Sequence, residues 1–362
     1  MERMKMDEII IEYVDKDGKE RKIEVDDEAI ATLDLSRQNI INIRLESISN
    51  LENLQEFQLA NNMITKIDLS PLTQLLKLEI LSLFKNALDT INLEQLVGCQ
   101  NLRELHLGSN NLKNIDLKPT SKFKCLARLR LFNNQLEEID LHPLASCKTL
   151  ESLEIENNKI RELDIGGLGG CTKLQQLNLM YNSLSQLDLT PLENCRELKF
   201  LYLHHNRLSS IDLRPLENCN DFRILRLGGN QLKQIDLMPL EACSQLRRLG
   251  LAMNEIEDLD LAPLANAKKL TALDIAGNRL TSIDLSPLAK CKELTELYLY
   301  SEHPQENEFK EVNITPLFKC SELEDVTISR DTRILAKSSL ENAENIPSAI
   351  EELIDDDRID WI

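Results

Sequence analysis

The feature that most restricts how this chain can fold is a leucine that returns every 24 residues. Ile30 begins a weaker first copy, and Leu323 begins a last copy that an insertion displaces. A fixed period of this length predicts a stack of short units, each of which buries its apolar side against the next. We predict twelve regular copies and one irregular copy. The regular positions are Leu54, Leu78, Leu102, Leu126, Leu150, Leu174, Leu198, Phe222, Leu246, Leu270 and Leu294.

Each copy follows the pattern L-x-x-L-x-L-x-x-N-x-L-x-x-I-D-L-x-P-L-x-x-C-x-x. The L-x-L alternation predicts a strand whose leucines face the core while the residue between them faces outward. A buried asparagine can satisfy backbone groups where the chain leaves that strand, because its amide both donates and accepts. We expect this asparagine ladder, Asn62 to Asn278, to fail at its ends, where Gln38 and Glu302 occupy the column. The proline favours a short helical turn, and the preceding aspartate is placed to accept N–H bonds from it.

This pattern resembles the leucine-rich repeat family over residues 30–330. The resemblance implies an α/β solenoid, a horseshoe with a concave parallel β-sheet and a convex wall of short helical turns and irregular segments. The outer half lacks the L-P-x-x-x-F of extracellular receptors, which weakens a reading as a secreted receptor. The family implies binding in general and no particular partner.

The two ends break the pattern and are expected to cap the stack, because a repeat array exposes apolar layers there. Residues 1–29 predict an N-terminal cap with a β-hairpin around Asp15–Gly18, and residues 30–333 form the repeat domain. Residues 334–362 predict a C-terminal cap with a short helix starting at Pro347 and an acidic tail. We expect Trp361 to cover the last layer. The alternative is that residues 355–362 are displayed as a ligand. The role of the 301–313 insertion stays open.

The nine cysteines form a column of their own, with Cys125 alone out of register. We interpret the column as packing, because a free cysteine behaves as a small buried apolar residue and Ala267 replaces it once. No C-x-x-C pair occurs, so neither zinc nor any other metal is expected, and no cofactor.

The charge of the chain restricts its partners and its location. It carries 61 acidic and 42 basic side chains, a net charge of −19. Phosphate and anionic lipid both attract basic surfaces, so nucleic acid and membrane are not expected as partners. The start, Met1 to Glu8, lacks the apolar run of a signal peptide. We predict a cytoplasmic protein, and a monomer.

The candidate binding site is the concave face, whose outward positions follow from the repeat register. Tyrosine, phenylalanine and histidine are concentrated there and charges nearly cancel, a composition typical of interface centres. We expect Tyr181, Phe200, Tyr202 and Arg226 at its centre. His204 and His205 are not expected to bind metal, because adjacent residues at a strand end should point apart. The predicted contact residues are Phe84, Arg128, Arg130, Phe132, Met180, Tyr181, Phe200, Tyr202, His204, His205, Ile224, Arg226, Arg248, Tyr298 and Tyr300.

The function predicted from these features is a non-catalytic scaffold that binds another protein or peptide on the concave face. The alternative is a structural protein that self-associates through an end or an edge. An enzyme is disfavoured, because the sequence shows no nucleophile–base pair and no metal cluster. The glycine-rich residues 166–170 do not complete a phosphate-binding loop.

Overall fold

The computed structural model describes residues 9–25, 29–301 and 306–362, and divides into two compact units, Met1–Leu174 and Gln175–Ile362. The start of the N-terminal cap and residues 302–305 of the insertion lie outside the described residues. No helix within the described ranges is long and apolar enough to cross a membrane.

In its described residues, 9–25 and 29–174, the first unit holds nine strands in two sheets. Antiparallel β1 and β2 flank the turn at Gly18, and β1 also pairs with β4, giving the order β2-β1-β4. The parallel sheet has the order β3-β5-β6-β7-β8-β9. The strands are β1 Ile9–Asp15, β2 Glu20–Val25, β3 Thr32–Asp34, β4 Ile40–Ile43, β5 Glu56–Gln58, β6 Ile80–Ser82, β7 Glu104–His106, β8 Arg128–Arg130 and β9 Ser152–Glu154.

The second unit has ten strands and one α-helix over the residues described, 175–301 and 306–362. Its main parallel sheet runs from β10 through β15 to β17, and a smaller parallel sheet has the order β16-β18-β19. The elements are β10 Gln176–Asn178, β11 Phe200–Tyr202, β12 Ile224–Arg226, β13 Arg248–Gly250, β14 Ala272–Asp274, β15 Glu296–Tyr298, β16 Glu311–Asn313, β17 Asp325–Thr327, β18 Arg333–Ala336, α1 Ser348–Asp355 and β19 Ile359–Trp361.

In the main parallel sheets, neighbouring strands up to β15 pair so that a residue lies beside the residue 24 positions further along, as Leu81 lies beside Leu105 and Leu201 beside Leu225. Between β15 and β17 the offset is 29. The leucines of the pattern are therefore stacked in layers, and those on both sides of Tyr202, Leu201 and Leu203, are fully buried. Between them the outward residue stays partly exposed, as the period-two alternation requires. The predicted fold class is confirmed.

The asparagine ladder joins successive coils by the same three hydrogen bonds. Asn230 Oδ1 accepts from Leu208 N at 3.0 Å, and its Nδ2 donates to Leu203 O at 3.0 Å and Leu227 O at 2.8 Å. The prediction that the ladder fails at its C-terminal end is wrong. Asn307 accepts from Leu280 N at 3.0 Å, so the ladder continues with an asparagine that lies five residues later than the 24-residue period places it.

The outer wall consists of short 3-10 turns, most of which contain proline in the first two positions. An aspartate or asparagine before most of these turns accepts a backbone N–H, as Asp236 does from Met238 at 2.9 Å and Asn92 from Glu94 at 3.1 Å. This is the capping role predicted for that column. The turns are Glu46–Asn50, Ser70–Gln74, Leu93–Leu96, Lys118–Lys122, His142–Ser146, Gly166–Gly170, Thr190–Asn194, Arg214–Leu216, Met238–Ala242, Ala262–Asn266, Ser286–Lys290, Thr315–Lys319 and Ser338–Leu340.

The cysteines are free, and all except Cys125 are buried. Cys99 Sγ lies 3.1 Å from Leu72 O of the preceding coil, and Cys147 Sγ lies 3.3 Å from Thr120 O. Burial raises the pKa of the Cys99 thiol to about 12. The column acts as packing between coils.

The C-terminal residues fold back onto the last coils. Pro347 is the N-cap of α1, and Ala349 and Ile350 of that helix are buried. Strand β19 pairs with β18, and the Trp361 ring centroid lies 6.3 Å from that of Phe318. The segment considered as a displayed ligand thus contributes a strand to a sheet.

Candidate functional site

The fifteen predicted contact residues all lie on the outward side of the strands or just after them, and none is buried. Tyr181, His205 and Arg226 are exposed, and the others are partly exposed. Four lie in the first unit and eleven in the second. The two groups occupy equivalent positions of the repeat, but their surroundings differ.

The outward side of β7 to β9, here called the first face, is a network of ion pairs. Arg128 contacts Glu104 and lies 3.6 Å from Glu151, while Arg130 Nε lies 3.1 Å from Glu154 Oε1. Both arginines are therefore already matched by carboxylates of the same unit. The sequence identified them as contact residues but did not show that they are paired.

Histidine and glutamate complete this network. His106 Nε2 lies 3.1 Å from Glu104 Oε2 and also contacts Arg130. Burial lowers the pKa of His106, and the Arg130 charge lowers it further. The imidazole therefore favours its neutral form, and it contacts both Glu104 and Arg130 without adding a charge to the network.

The aromatic residues on the outward surface of the first unit form a ring pair. The Phe84 and Phe132 centroids lie 5.8 Å apart, with the rings tilted at 49°. A Cβ at Gly108 would lie 2.8 Å from the Phe132 ring, so only glycine lets this ring fold across the neighbouring coil. Phe132 thus packs against its own sheet as well as offering a surface.

Glu156 carries the most perturbed carboxyl of the first unit. Its Oε2 is buried and has no hydrogen-bond partner in the described structure. Burial raises the pKa of Glu156 to about 7, and the nearby Glu154 charge acts in the same direction. This carboxyl is half protonated near neutral pH.

The outward side of β11, together with Tyr181, His204 and His205, is here called the aromatic cluster of the second unit. Tyr181 stacks on His205 at 4.4 Å and 14°, and Phe200 lies parallel to Tyr202 at 6.4 Å and 6°. The prediction that His204 and His205 point apart is wrong, since their ring centroids lie 5.5 Å apart. Aromatic contacts, in which a tyrosine joins both imidazoles, hold the two rings together.

His204 is held neutral inside this cluster. Its Nδ1 is buried and has no hydrogen-bond partner among the described residues. Burial lowers the pKa of His204 to about 4, helped by the charges of His205 and Arg226. At neutral pH His204 therefore contributes an uncharged ring. In the described ranges, no group of three or more His, Cys, Asp or Glu side chains could hold a metal ion.

Next to the cluster, one row of paired residues crosses five strands. Arg226 stands exposed in it and makes no ion pair with any described residue. Its stem passes over Gly250, where an added Cβ would lie 3.8 Å from Arg226 Cγ. Burial raises the pKa of Asp274 on the far side of Gly250. The row is Tyr202, Arg226, Gly250, Asp274 and Tyr298.

A shallow depression of about 240 Å³ opens beside this row, lined among others by Arg226, Arg248, Gly250 and Ala272. Arg248 reaches Glu296 across it at 3.4 Å. Sequence reasoning that searched for rings and guanidinium groups missed the small residues here. Their signal was present, because glycine and alanine recur in the same columns that hold rings in the coils on either side.

Comparisons with known proteins agree with this architecture. A family profile described as leucine rich repeat matches residues 58–112, 124–184 and 172–232. A second, described as a BspA type leucine rich repeat region, matches residues 216–346, so that together they span more than half of the chain. No curated protein sequence is similar enough to count as a match.

Solved structures give the same result. An internalin of Listeria monocytogenes is 26% identical, with 83% of this chain and 88% of that chain covered and a TM-score of 0.61. A leucine-rich repeat protein of Leptospira interrogans is 20% identical, with 92% and 90% covered and a TM-score of 0.70. The repeat ectodomain of an Arabidopsis thaliana membrane receptor kinase, in complex with a Casparian strip integrity factor, is 26% identical, with 81% and 40% covered and a TM-score of 0.53.

Proposed function

This chain belongs to the leucine-rich repeat family, and we propose that it is a non-catalytic scaffold whose outward sheet face binds another protein or peptide. The face of the second unit is its main contact surface, centred on Tyr181, Phe200, Tyr202 and Arg226. A fold that commonly serves protein interaction supports binding in general. The choice of this face rests on the exposure of its arginine and on its aromatic side chains.

One observation carries this proposal. Arg226 is an exposed guanidinium without an ion pair among the described residues, and it stands between an aromatic cluster and a depression. Arginine and tyrosine contribute most often to binding energy when a partner covers them. Arg226 acts on Asp274 only through its charge, so its guanidinium N–H groups can bond to a partner.

The proposal that the protein is not an enzyme rests on the state of its reactive groups. Burial raises the pKa of the column cysteines, to about 12 for Cys195 and about 11 for Cys219, so their thiols are poor nucleophiles. His204 is neutral and its imidazole packs against rings. These cysteines and this histidine are thus used for packing.

The partner is a protein or peptide in this proposal. The plant ectodomain was solved with a factor bound to it, which supports a peptide or protein ligand for this fold. We also propose that the scaffold acts as a monomer and that residues 1–29 and 334–362 are its caps.

Two observations favour different cellular locations for this protein. Nine free thiols favour the cytoplasmic location predicted from the sequence, because oxidising compartments promote disulfides. The BspA-type repeats and the internalin likeness favour a secreted or surface protein. Cell fractionation with a protease-protection assay decides between them.

Site-specific photo-cross-linking tests the proposed face. A benzoylphenylalanine replaces Phe200 in one variant and, as a control, the exposed Met238 of an outer 3-10 turn in another. In the native cell we expect a discrete adduct from position 200 and none from position 238. Adducts from the outer wall alone, or none from position 200, would show that the proposed face is wrong.

A further inference from the structure

Three consecutive copies in the second unit have no acidic residue on the strand or on the segment that leads from the strand to the outer wall. These segments are 175–187, 199–211 and 223–235, here together called the acid-free surface. They hold 39 residues, of which about seven would be acidic if Asp and Glu were spread evenly over the chain. The same segment of every other copy contains at least one Asp or Glu. The three copies therefore differ in charge from the rest of a chain with a net charge of −19.

The acid-free surface carries five basic side chains, and three of them have a carboxylate of the second unit nearby. Lys199 Nζ and Arg223 Nη2 lie 3.8 and 2.9 Å from Asp221 Oδ2. Arg226 acts through its charge on Asp274, which lies two strands further on. The charges of these three side chains are offset, at least in part, within the unit.

The other two basic side chains, those of Arg207 and Lys233, have no such carboxylate. Both are exposed, and neither forms an ion pair with any described residue. They lie on adjacent coils at the side where the chain leaves the strands, and Arg207 follows His205 by two residues. The next acid along the coil of Arg207 is Asp212, which is paired with Arg214 and accepts from its N–H. Arg207 and Lys233 can therefore bind carboxylates of a partner.

Two rings of the acid-free surface stand at backbone positions that do not suit them. Tyr181 and His205 have φ angles of 52° and 55°, in the left-handed region that residues other than glycine and asparagine rarely adopt. Backbone strain of this kind is typical of binding sites. The stacked pair is therefore kept at a cost to the backbone. In several other copies this column holds the residues that the conformation favours, namely Asn61, Asn133, Asn157, Gly229 and Gly277.

We propose that the acid-free surface binds an acidic segment of a partner protein. Carboxylates of this segment pair with Arg207 and Lys233, and an apolar side chain between them packs against the Tyr181 ring, which is 48% exposed. A basic segment would meet like charges there and find no acid on this surface. Nucleic acid requires a larger basic surface than two unmatched cations in an acidic chain. This inference rests on the proposed function and specifies the chemistry of its partner.

A random peptide library displayed on phage, selected on the full chain, supplies the probes. We expect selected peptides to be rich in Asp and Glu around an aromatic or aliphatic residue. Arg207→Gln with Lys233→Gln should weaken their synthetic forms at least about tenfold, because two charge-assisted contacts are lost.

The matched control is Lys113→Gln with Lys159→Gln, which removes the same charge from the same two columns of the first unit. Both lysines are exposed. The control should change peptide binding by less than about twofold, since an exposed charge that does not touch the peptide contributes little.

Asparagine at the strained positions separates contact from folding. Tyr181→Asn and His205→Asn introduce the residue that other copies use in this column, so the melting temperature should stay the same or rise. Each should weaken the peptides about fivefold or more. Lys85→Asn, at a φ of 54° in the same column of the first unit, should leave peptide binding unchanged. A lower melting temperature with unchanged binding would show that the two rings serve the fold and not the partner.

Other outcomes separate this inference from the proposed function. Neutral or basic peptides, equal losses with both pairs of glutamine variants, or a DNA oligonucleotide that binds more tightly than the peptides would overturn the acidic partner. Peptides that are lost with Tyr202→Ala and Arg226→Ala, but are unaffected by Arg207→Gln with Lys233→Gln, overturn this inference and leave the binding face standing. Peptides unaffected by all these changes, or no enrichment at all, overturn both.

Discussion

Arg130 and Arg226 occupy the same column of the repeat, one in each unit, yet the structure gives them different surroundings. Arg130 has Glu154 and His106 as its partners in the adjacent coils, and its side chain is 26% exposed. Arg226 lies between Tyr202 and Gly250 and is unpaired among the described residues. The first arginine pairs with residues of its own face, whereas the second is exposed and makes no ion pair with the described residues.

The comparison shows that a residue on a repeat surface is defined by the residues 24 positions before and after it. Parallel in-register pairing makes these its lateral neighbours. A single coil contains too little information to distinguish a paired arginine from a free one. The same argument explains why glycine in the column of Arg226 shapes the surface as much as a ring does.

The largest effect we expect tests what the two units share. Asn134→Ala in the first unit and Asn230→Ala in the second each leave three backbone groups without partners, because the ladder bonds are equivalent. Each should lower the free energy of unfolding by about 3 kcal/mol. Urea unfolding measures this, with the exposed Asn101→Ala as control. A loss confined to one unit would contradict a common skeleton.

The second largest expected effect is on partner binding, and it distinguishes the outward faces of the two units. Tyr202→Ala with Arg226→Ala should weaken binding of the cross-linked partner by about 2 kcal/mol at an unchanged melting temperature. Arg128→Ala with Arg130→Ala should change binding by less than about 0.5 kcal/mol, because those arginines are matched internally. Isothermal titration measures both. Equal losses would mean that the first face also contacts the partner.

The units should also differ in their response to pH. The pKa of Glu156 is raised to about 7, so the folded state binds its proton more tightly than the unfolded chain does. Its contribution to stability is present below pH 4.5 and is lost as the pH rises to about 7. His204 acts in the opposite direction. Its pKa is lowered to about 4, so stability is lost as the pH falls from 6.5 to about 4.

Glu156→Gln should therefore stabilise the protein at pH 8 by about 1 kcal/mol and have little effect at pH 4, after allowance for the partial exposure of the side chain. His204→Phe should show the reverse, with its gain at pH 4.5. Thermal melts at the two pH values compare each variant with the unchanged chain. A gain that does not depend on pH would indicate packing rather than titration.

The smallest effect concerns the turn caps, which both units share. Asp116 accepts from Lys118 N and Asp236 from Met238 N, each at 2.9 Å. Alanine at either position should lower stability by about 0.5 kcal/mol, and asparagine should restore most of the loss because it keeps an acceptor. Differential scanning calorimetry measures the stability of the alanine and asparagine variants at each position. Failure of asparagine to rescue would assign the effect to charge.

The periodic part of the molecule could be predicted because every layer imposes the same requirement. Leucine burial, the asparagine bonds and the cysteine packing all follow from one copy and then recur. What escaped prediction depends on side chains meeting between copies, as in the Arg130 and Glu154 pair or the contact of His204 with His205. Asn307 escaped because the inserted residues shift its number while leaving its place in the ladder unchanged. The fifteen contact residues stay a prediction.

Each ladder asparagine makes equivalent hydrogen bonds to its own coil and to the coil before it. The backbone contacts at one junction between copies are therefore the same as at the next. Removing or duplicating a whole 24-residue block would recreate the same bonds at the seam, whereas a fragment of a block would displace the asparagine from the ladder column. The gene for such a chain can therefore change its copy number by recombination within the repeats without a folding defect at the join. The bonds at such a join depend on the register of the repeat and not on the number of copies.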